Sequence, residues 1–164
     1  MILRPETPAD TGTIHQMTQA AFAGAAHRSG SEGAIIDALR AAGALTLSLV
    51  AEEAGQIVGH VALSPVRVAG RALGWYGLGP IAVRPDRQGQ GVGGALIRDA
   101  EARLRAQGAA GCVLVGDPAY YIRFGFAADA GLRVDGVPPQ YVLRKVYDGE
   151  APQGVVAFHP AFGV

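Results

Sequence analysis

Residues 78–126 constrain this chain more than any other stretch. An apolar run ending in Ile81-Ala82-Val83 reads as the close of a buried strand. Arg87-Gln88-Gly89-Gln90-Gly91-Val92-Gly93-Gly94 follows, and behind it Leu96, Ile97, Ala100 and Leu104 recur at helical spacing. Arg98, Asp99, Glu101, Arg103 and Arg105 are assigned to the opposite face of that helix, and Gly108 to its C-terminal stop. A strand, a glycine-dense turn and a helix N-terminus together form an anion site. The N–H groups of the first helical turn have no acceptor of their own, and the helix dipole adds partial positive charge. Glycine lets a phosphate come close to the backbone because no Cβ intervenes.

Several phosphate ligands match such a loop at first sight. Gly89-x-Gly91-x-x-Gly94 satisfies a dinucleotide fingerprint, which also calls for a tight strand-to-helix turn and an acidic residue about 20 positions on. Arg84-Pro85-Asp86-Arg87 intervenes after the strand, and the acid's place falls in the apolar run Cys112-Val113-Leu114-Val115. No Gly-Lys-Ser/Thr follows, which excludes a nucleotide P-loop. Gln88-x-x-Gly91-x-Gly93 is similar to the pyrophosphate signature of the Gcn5-related N-acetyltransferases. Asp117-Pro118-Ala119-Tyr120-Tyr121-Ile122-Arg123-Phe124-Gly125-Phe126 resembles the second half of that family's acyl-CoA site, at fitting separation. The closest pattern is that of small bacterial acetyltransferases with a Gly-Asp-Pro-x-Tyr-Tyr-x-Arg-Phe-Gly-Phe segment.

The resemblance implies a mixed α/β acyltransferase fold with a largely antiparallel, centrally splayed sheet flanked by helices. It also implies acetyl-CoA as acyl donor and a primary amine as acceptor, attacking directly in a ternary complex. Backbone amides at Gly89, Gly91, Val92, Gly93 and Gly94, with Gln88, would hold the pyrophosphate. A helix end contributes about 0.3–1 kcal/mol per exposed charge. Backbone groups at Ile81, Ala82 and Val83 would pair with pantetheine like a short added strand, with the Val83 amide reaching the thioester carbonyl. Arg84, Arg87 and Arg123 are candidates for the phosphates and equally for solvated surface. Tyr121, four residues before Gly125, takes the family's position beside the sulfur, where its phenol protonates the departing thiolate. Tyr120 is assigned to the core instead.

No single general base stands out. Glu32, at the start of a helix, is placed to face the acceptor mouth, with His27 and His60 as weaker candidates. Water chains serve many members of the superfamily, so a dedicated base is not required. That gap leaves a rival reading open, a non-catalytic acyl-CoA-binding or regulatory module. A dinucleotide-dependent oxidoreductase is disfavoured by the missing ribose acid. No metal site is expected.

Composition narrows the remaining classes. At 164 residues, 49% of them apolar and 17% charged, the chain suits one globular domain over residues 1–164. Its formal net charge is zero, with no Lys/Arg run, which argues against nucleic acid or an anionic membrane as a partner. The sequence is compatible with a homodimer without specifying one. No signal-peptide stretch or membrane-length apolar window occurs, so the expected location is the cytoplasm. Cys112, the only cysteine, sits in an apolar run and reads as a small buried hydrophobe rather than a nucleophile.

The other elements follow from local pattern. Residues 2–4 form a first strand, and Thr7-Pro8-Ala9-Asp10 caps a helix carrying Ile14, Met17, Ala21 and Phe22. Residues 23–30 form a loop, which the resemblance places near the family's acceptor entrance, and residues 31–42 a second helix on Ile35, Ile36 and Leu39. Strands are predicted at 45–51, at 56–68 with irregularities at Gly59 and Pro65, and at 74–83. Gly77, Gly79 and Pro80 predict a bulge or break in pairing, which in the family the chain resembles helps splay this strand from the next. Trp75 and Tyr76 alternate there, one toward the acceptor cleft and one beneath a helix. A buried strand at 111–115, a short helix capped by Asp117, a strand pair at 126–134 and 140–146, and an edge strand within 154–162 complete the reading.

Overall fold

The structure, a computed structural model, describes residues 1–23 and 31–163. After β1 (Ile2–Pro5), the cap at Thr7 forms as the sequence indicates. The Asp10 carboxylate accepts the Thr7 N–H at 2.7 Å and the Thr7 hydroxyl at 3.0 Å. The chain makes one 3-10 turn at Pro8–Asp10 before α1 (Thr11–Phe22). The second helix, α2 (Glu32–Ala41), packs against α1. Ile14, Met17, Ile36 and Leu39 are all buried there. The loop predicted at 23–30, with His27, lies outside the described residues apart from Ala23.

The antiparallel hairpin β2 (Leu47–Glu53) and β3 (Gln56–Pro65) turns at Ala54-Gly55, and its register shifts beside Gly59. The single strand predicted over 56–68 is broken. Proline has no N–H to continue a ladder, so β3 ends at Pro65 and β4 (Arg67–Val68) joins a different sheet. Beyond them run β5 (Trp75–Val83), α3 (Val92–Ala106), β6 (Gly111–Val115) and the short α4 (Pro118–Tyr121).

The predicted strand at 126–134 also divides, into β7 (Ala127–Ala128) and β8 (Leu132–Arg133). Asp129 makes the turn between them: its carboxylate accepts the Gly131 N–H at 2.9 Å and the Arg144 guanidinium at 3.1 Å. The chain closes with β9 (Val142–Val146) and β10 (Gly154–Ala157). β10 is not an edge strand but the middle of a small sheet ordered β4-β10-β8.

The main sheet is ordered β1-β2-β3-β5-β6-β9-β7, antiparallel throughout except where β5 meets β6. Leu96, Ile97, Ala100 and Leu104 of α3 are fully buried in one cluster with Leu49, Val61 and Leu63 of the sheet. Each such aliphatic side chain contributes about 1.5–3 kcal/mol. The helix sits low because Gly59 has no side chain: a Cβ there would lie 2.8 Å from Val92 Cγ1. Trp75 corrects the expectation for the fourth long strand. It is buried between the two sheets with Val66, Val113 and Val156, and beneath no helix. Among the described residues no helix is long and apolar enough to cross a membrane.

One irregularity decides where a ligand can enter. β5 pairs with β6 only over Trp75–Gly77, opposite Gly111–Val113. Beyond Gly77 the register against β3 also shifts, at the Gly77-Leu78-Gly79-Pro80 segment predicted to bulge. The lower half of β5 therefore has a partner on one edge and none on the other.

Candidate active site

A cavity of about 500 Å³ opens along that unpaired edge. β5 supplies Ile81 and Val83 to it, the loop supplies Arg87 to Gly89 and Gly91 to Gly94, and the turn after α4 supplies Arg123 and Phe124. The Arg84 N–H bonds to the Val58 carbonyl at 2.8 Å, toward β3. Backbone groups alternate sides along a strand, so Val83 and Ile81 turn theirs to the open edge. Ala82, between them, is paired with His60 on β3 and does not line the cavity. Of the three backbone positions expected to meet pantetheine, two face it.

The floor of the cavity is the start of α3. Gly91 takes φ +86°, a left-handed conformation that costs other L-residues about 1–2 kcal/mol, and no side chain caps the helix. The Ala95 N–H is bonded back to the Gly91 carbonyl at 3.1 Å. The amides of Val92, Gly93 and Gly94 precede Ala95, the first intrahelical donor, and so have no acceptor within the helix. Gln88 steadies the loop, donating from Nε2 to the Val83 carbonyl at 3.0 Å.

The arginines separate by surroundings. Arg84 is engaged by Asp86 at 2.6 Å and Gln56 at 3.0 Å and lies outside the cavity, which favours the surface alternative over the phosphate one. Arg87 lines the cavity while paired with Glu53. Arg98 and Arg123 also line it, lying over the rings of Phe124 and Tyr120 at 5.1 and 4.8 Å rather than against a carboxylate. Arg98 was assigned only to the solvent face of its helix. Its position in the second turn of α3, near the cavity, is the signal that sequence reasoning missed.

Both tyrosines reach the cavity: Tyr120 packs against the main core as expected and lines the cavity as well. The Tyr120 hydroxyl stands 3.2 Å from where a Cβ of Gly93 would be, over the first turn of α3. The rings of Tyr120 and Tyr121 meet edge to face at 4.9 Å. Tyr121 is seated deeper, and its ring occupies space left by Gly116, whose Cβ would fall 2.5 Å from Cε2. Burial, and secondarily the neighbouring Tyr120 and Cys112, raise the Tyr121 phenol to a pKa of about 12. Asp117 caps α4 as expected, accepting the Ala119 N–H at 2.9 Å.

The candidate bases lie apart from this cavity. Glu32 opens α2, is buried, and is not among the lining residues. His60 is fully buried and accepts or donates at 2.7 Å to Ser48 Oγ; burial lowers its pKa to about 4, so it is neutral. Cys112 is fully buried in β6 and desolvation pushes its thiol pKa far up, which removes it as a nucleophile. Tyr76 packs against the main core and does not line the cavity.

Size alone does not single this cavity out. A groove of about 520 Å³ lies beside Arg4, Asp10, Gln16 and Gln56. Its Arg4 is already held by Asp10 at 2.7 Å and Glu52 at 3.1 Å, and no glycine loop opens onto it.

Comparison with known proteins shows the family. The model of the acetyltransferase (GNAT) domain matches residues 45–128, which contain β5, the loop, α3 and the tyrosine segment. Over nearly its whole length the chain is also 35% identical to the uncharacterized N-acetyltransferase YhbS of Escherichia coli K12 (99% of this chain, 98% of that one). The chain belongs to the Gcn5-related N-acetyltransferases. Solved members of the family have the same architecture. A Brucella melitensis GNAT acetyltransferase in complex with acetyl-CoA superposes with a TM-score of 0.89 at 52% identity, over 98% of this chain and 97% of its own. The YhbS crystal structure in complex with CoA superposes at 0.91 with 34% identity, over 99% and 92%. As a member of the family the chain is an acyltransferase of the N-acetyltransferase class.

Proposed function

We propose that residues 1–164 act as one N-acetyltransferase domain that moves the acetyl group of acetyl-CoA to a primary amine. The observation that carries this reading is the uncapped start of α3 opening into the same cavity as Tyr121. The fit is chemical as well as spatial. Three amides and the arginines Arg98 and Arg123 suit a diphosphate, and the outward amides of Ile81 and Val83 suit a ligand that hydrogen-bonds like a strand.

The roles follow from position. The amides of Val92, Gly93 and Gly94 hold the diphosphate without any side chain having to reorganise. Val83 N–H polarises the thioester carbonyl, favouring attack by a neutral amine on the carbonyl carbon. As the C–S bond breaks, Tyr121 donates its proton toward the sulfur. A pKa of about 12 keeps that proton in place at any physiological pH. The amine must shed one proton before attack and a second after it. The second restores the Tyr121 phenol, and Glu32, which does not line the cavity, is proposed to receive the first through water. No acyl-enzyme forms, because the buried Cys112 thiol is not available.

The test is a panel of amines with acetyl-CoA, read by release of free CoA thiol and by the mass of the acetylated amine. Polyamines, aminoglycosides, arylalkylamines, peptide N-termini and lysyl peptides cover the acceptor classes. Amine-dependent thiol release matched by N-acetyl product is the expected result. Coenzyme binding with no transfer to any amine would instead establish a non-catalytic acyl-CoA module.

A further inference from the structure

The chain has a single lysine, Lys145, and the structure places it under the tyrosine segment. Lys145 lies on β9 opposite Cys112 of β6, and its ammonium donates to the Phe124 carbonyl at 2.7 Å. The same nitrogen stands 3.2 Å from a carboxylate oxygen of Glu101, a residue that the helical pattern had put on the solvent face of α3. Glu101 is instead buried, and it accepts the Tyr147 hydroxyl at 2.7 Å. Arg105, one turn on, covers the Tyr147 ring at 4.4 Å.

Three elements meet at this ammonium. α3 carries the diphosphate site at its N-terminus and Glu101 near its middle. The segment from Pro118 to Phe124 carries Tyr120 and Tyr121 and ends at the carbonyl that Lys145 holds. β9 supplies the lysine. That segment is only one short α-helical turn and one 3-10 turn, too short to hold its own shape. Ile122 projects into solvent at 69% exposure, so packing secures only part of it. The buried rings Phe124 and Phe126 anchor one side. The hydrogen bond from Lys145 fixes the carbonyl end, and Gly125 fits so closely over the lysine that a Cβ there would lie 3.2 Å from Cε.

We propose that Lys145, held by Glu101, is a positioning residue that sets where the Tyr121 hydroxyl lies relative to the diphosphate site on α3. This rests on the acid role given to Tyr121 above. The lysine touches neither donor nor acceptor, and it does not line the cavity. Its effect is transmitted through the Phe124 carbonyl, three residues from Tyr121. A misplacement on the order of 1 Å at such a group costs up to about 100-fold in rate.

The experiment is a double-mutant cycle between Lys145→Met and Tyr121→Phe, with kcat and the acetyl-CoA dissociation constant measured in each protein. Lys145→Met should lower kcat by about 10- to 100-fold. It should leave acetyl-CoA binding within about twofold, because the amides of α3 are untouched. In the Tyr121→Phe background the same substitution should cost less than about threefold, since there is no longer a proton to position. Equal losses in both backgrounds, or an unchanged kcat in folded Lys145→Met, would overturn the positioning role. A Tyr121→Phe protein with wild-type kcat would remove the acid role first, and this inference with it. If Lys145→Met does not fold because Glu101 is left unpaired, Lys145→Met combined with Glu101→Gln removes both charges and is read in the same way.

Discussion

Tyr121→Phe lowers kcat by roughly 10²–10⁴-fold and leaves the Michaelis constant for acetyl-CoA nearly unchanged. The ring is retained, and the ring is what fills the space beside Gly116 and meets Phe126 at 6.2 Å. Only the hydroxyl is lost, and in the proposed acid role its work falls in the transition state. With the phenol at about 12 and a free thiol near 8.5, complete proton transfer before bond cleavage is uphill by about 5 kcal/mol. Donation must therefore accompany the growth of charge on sulfur. The pH dependence follows. Loss of this proton should produce no descending limb in kcat between about pH 7 and 10, because the group stays protonated there. Tyr120→Phe is the paired measurement. Its hydroxyl lies over the first turn of α3, so its loss should raise the acetyl-CoA dissociation constant more than it lowers kcat. The reverse order, with Tyr120→Phe abolishing turnover and Tyr121→Phe mild, would exchange the two assignments.

Gly91→Val should weaken acetyl-CoA binding by about tenfold or more, equivalent to losing about 1.4 kcal/mol at the helix end. A β-branched residue is strongly disfavoured at φ +86°, so the loop must change shape to admit it. The first-turn amides then lose their common aim. Stability falls as well, and the melting temperature should drop by about 2–8 °C for a loss of 1–2 kcal/mol. Gly43→Val separates the two effects. Gly43 also has positive φ, +68°, with nothing within 4 Å of a Cβ, and it lies outside this cavity. It should cost comparable stability while leaving coenzyme affinity intact. Calorimetric titration of both variants, with thermal melts, checks the pair.

The legible parts of the sequence were those in which one local rule governs the chain. Glycines at 89, 91, 93 and 94 before an amphipathic run specify a helix start with no side-chain cap, as observed at α3. Gly77, Gly79 and Pro80 specify the irregular half of β5, and the observed pairing stops at Gly77. Where partners come from distant segments, local pattern fails. Glu101 reads as a solvent residue because nothing nearby in sequence announces Lys145 and Tyr147, more than 40 positions away. Tyr120 packs against the core as the sequence indicates, but its second contact, with the cavity, is not legible from helical divergence. In a helix of one turn both rings still reach the same cavity. Arg84 has the charge for a phosphate, but Asp86 two residues on captures it. The strands predicted at 56–68 and 126–134 have continuous β-forming composition, and each divides between two sheets at a residue that cannot continue the ladder or that closes a turn.

Amide hydrogen exchange, followed residue by residue with and without acetyl-CoA, tests the central claim most directly. The amides of Val92, Gly93 and Gly94 have no acceptor within the helix, so they should exchange rapidly in the free protein and slow on binding. Those of Ile81 and Val83, along the unpaired edge of β5, should slow with them. Protection confined to the groove beside Arg4 and Gln56, with residues 81–94 unchanged, would contradict the account.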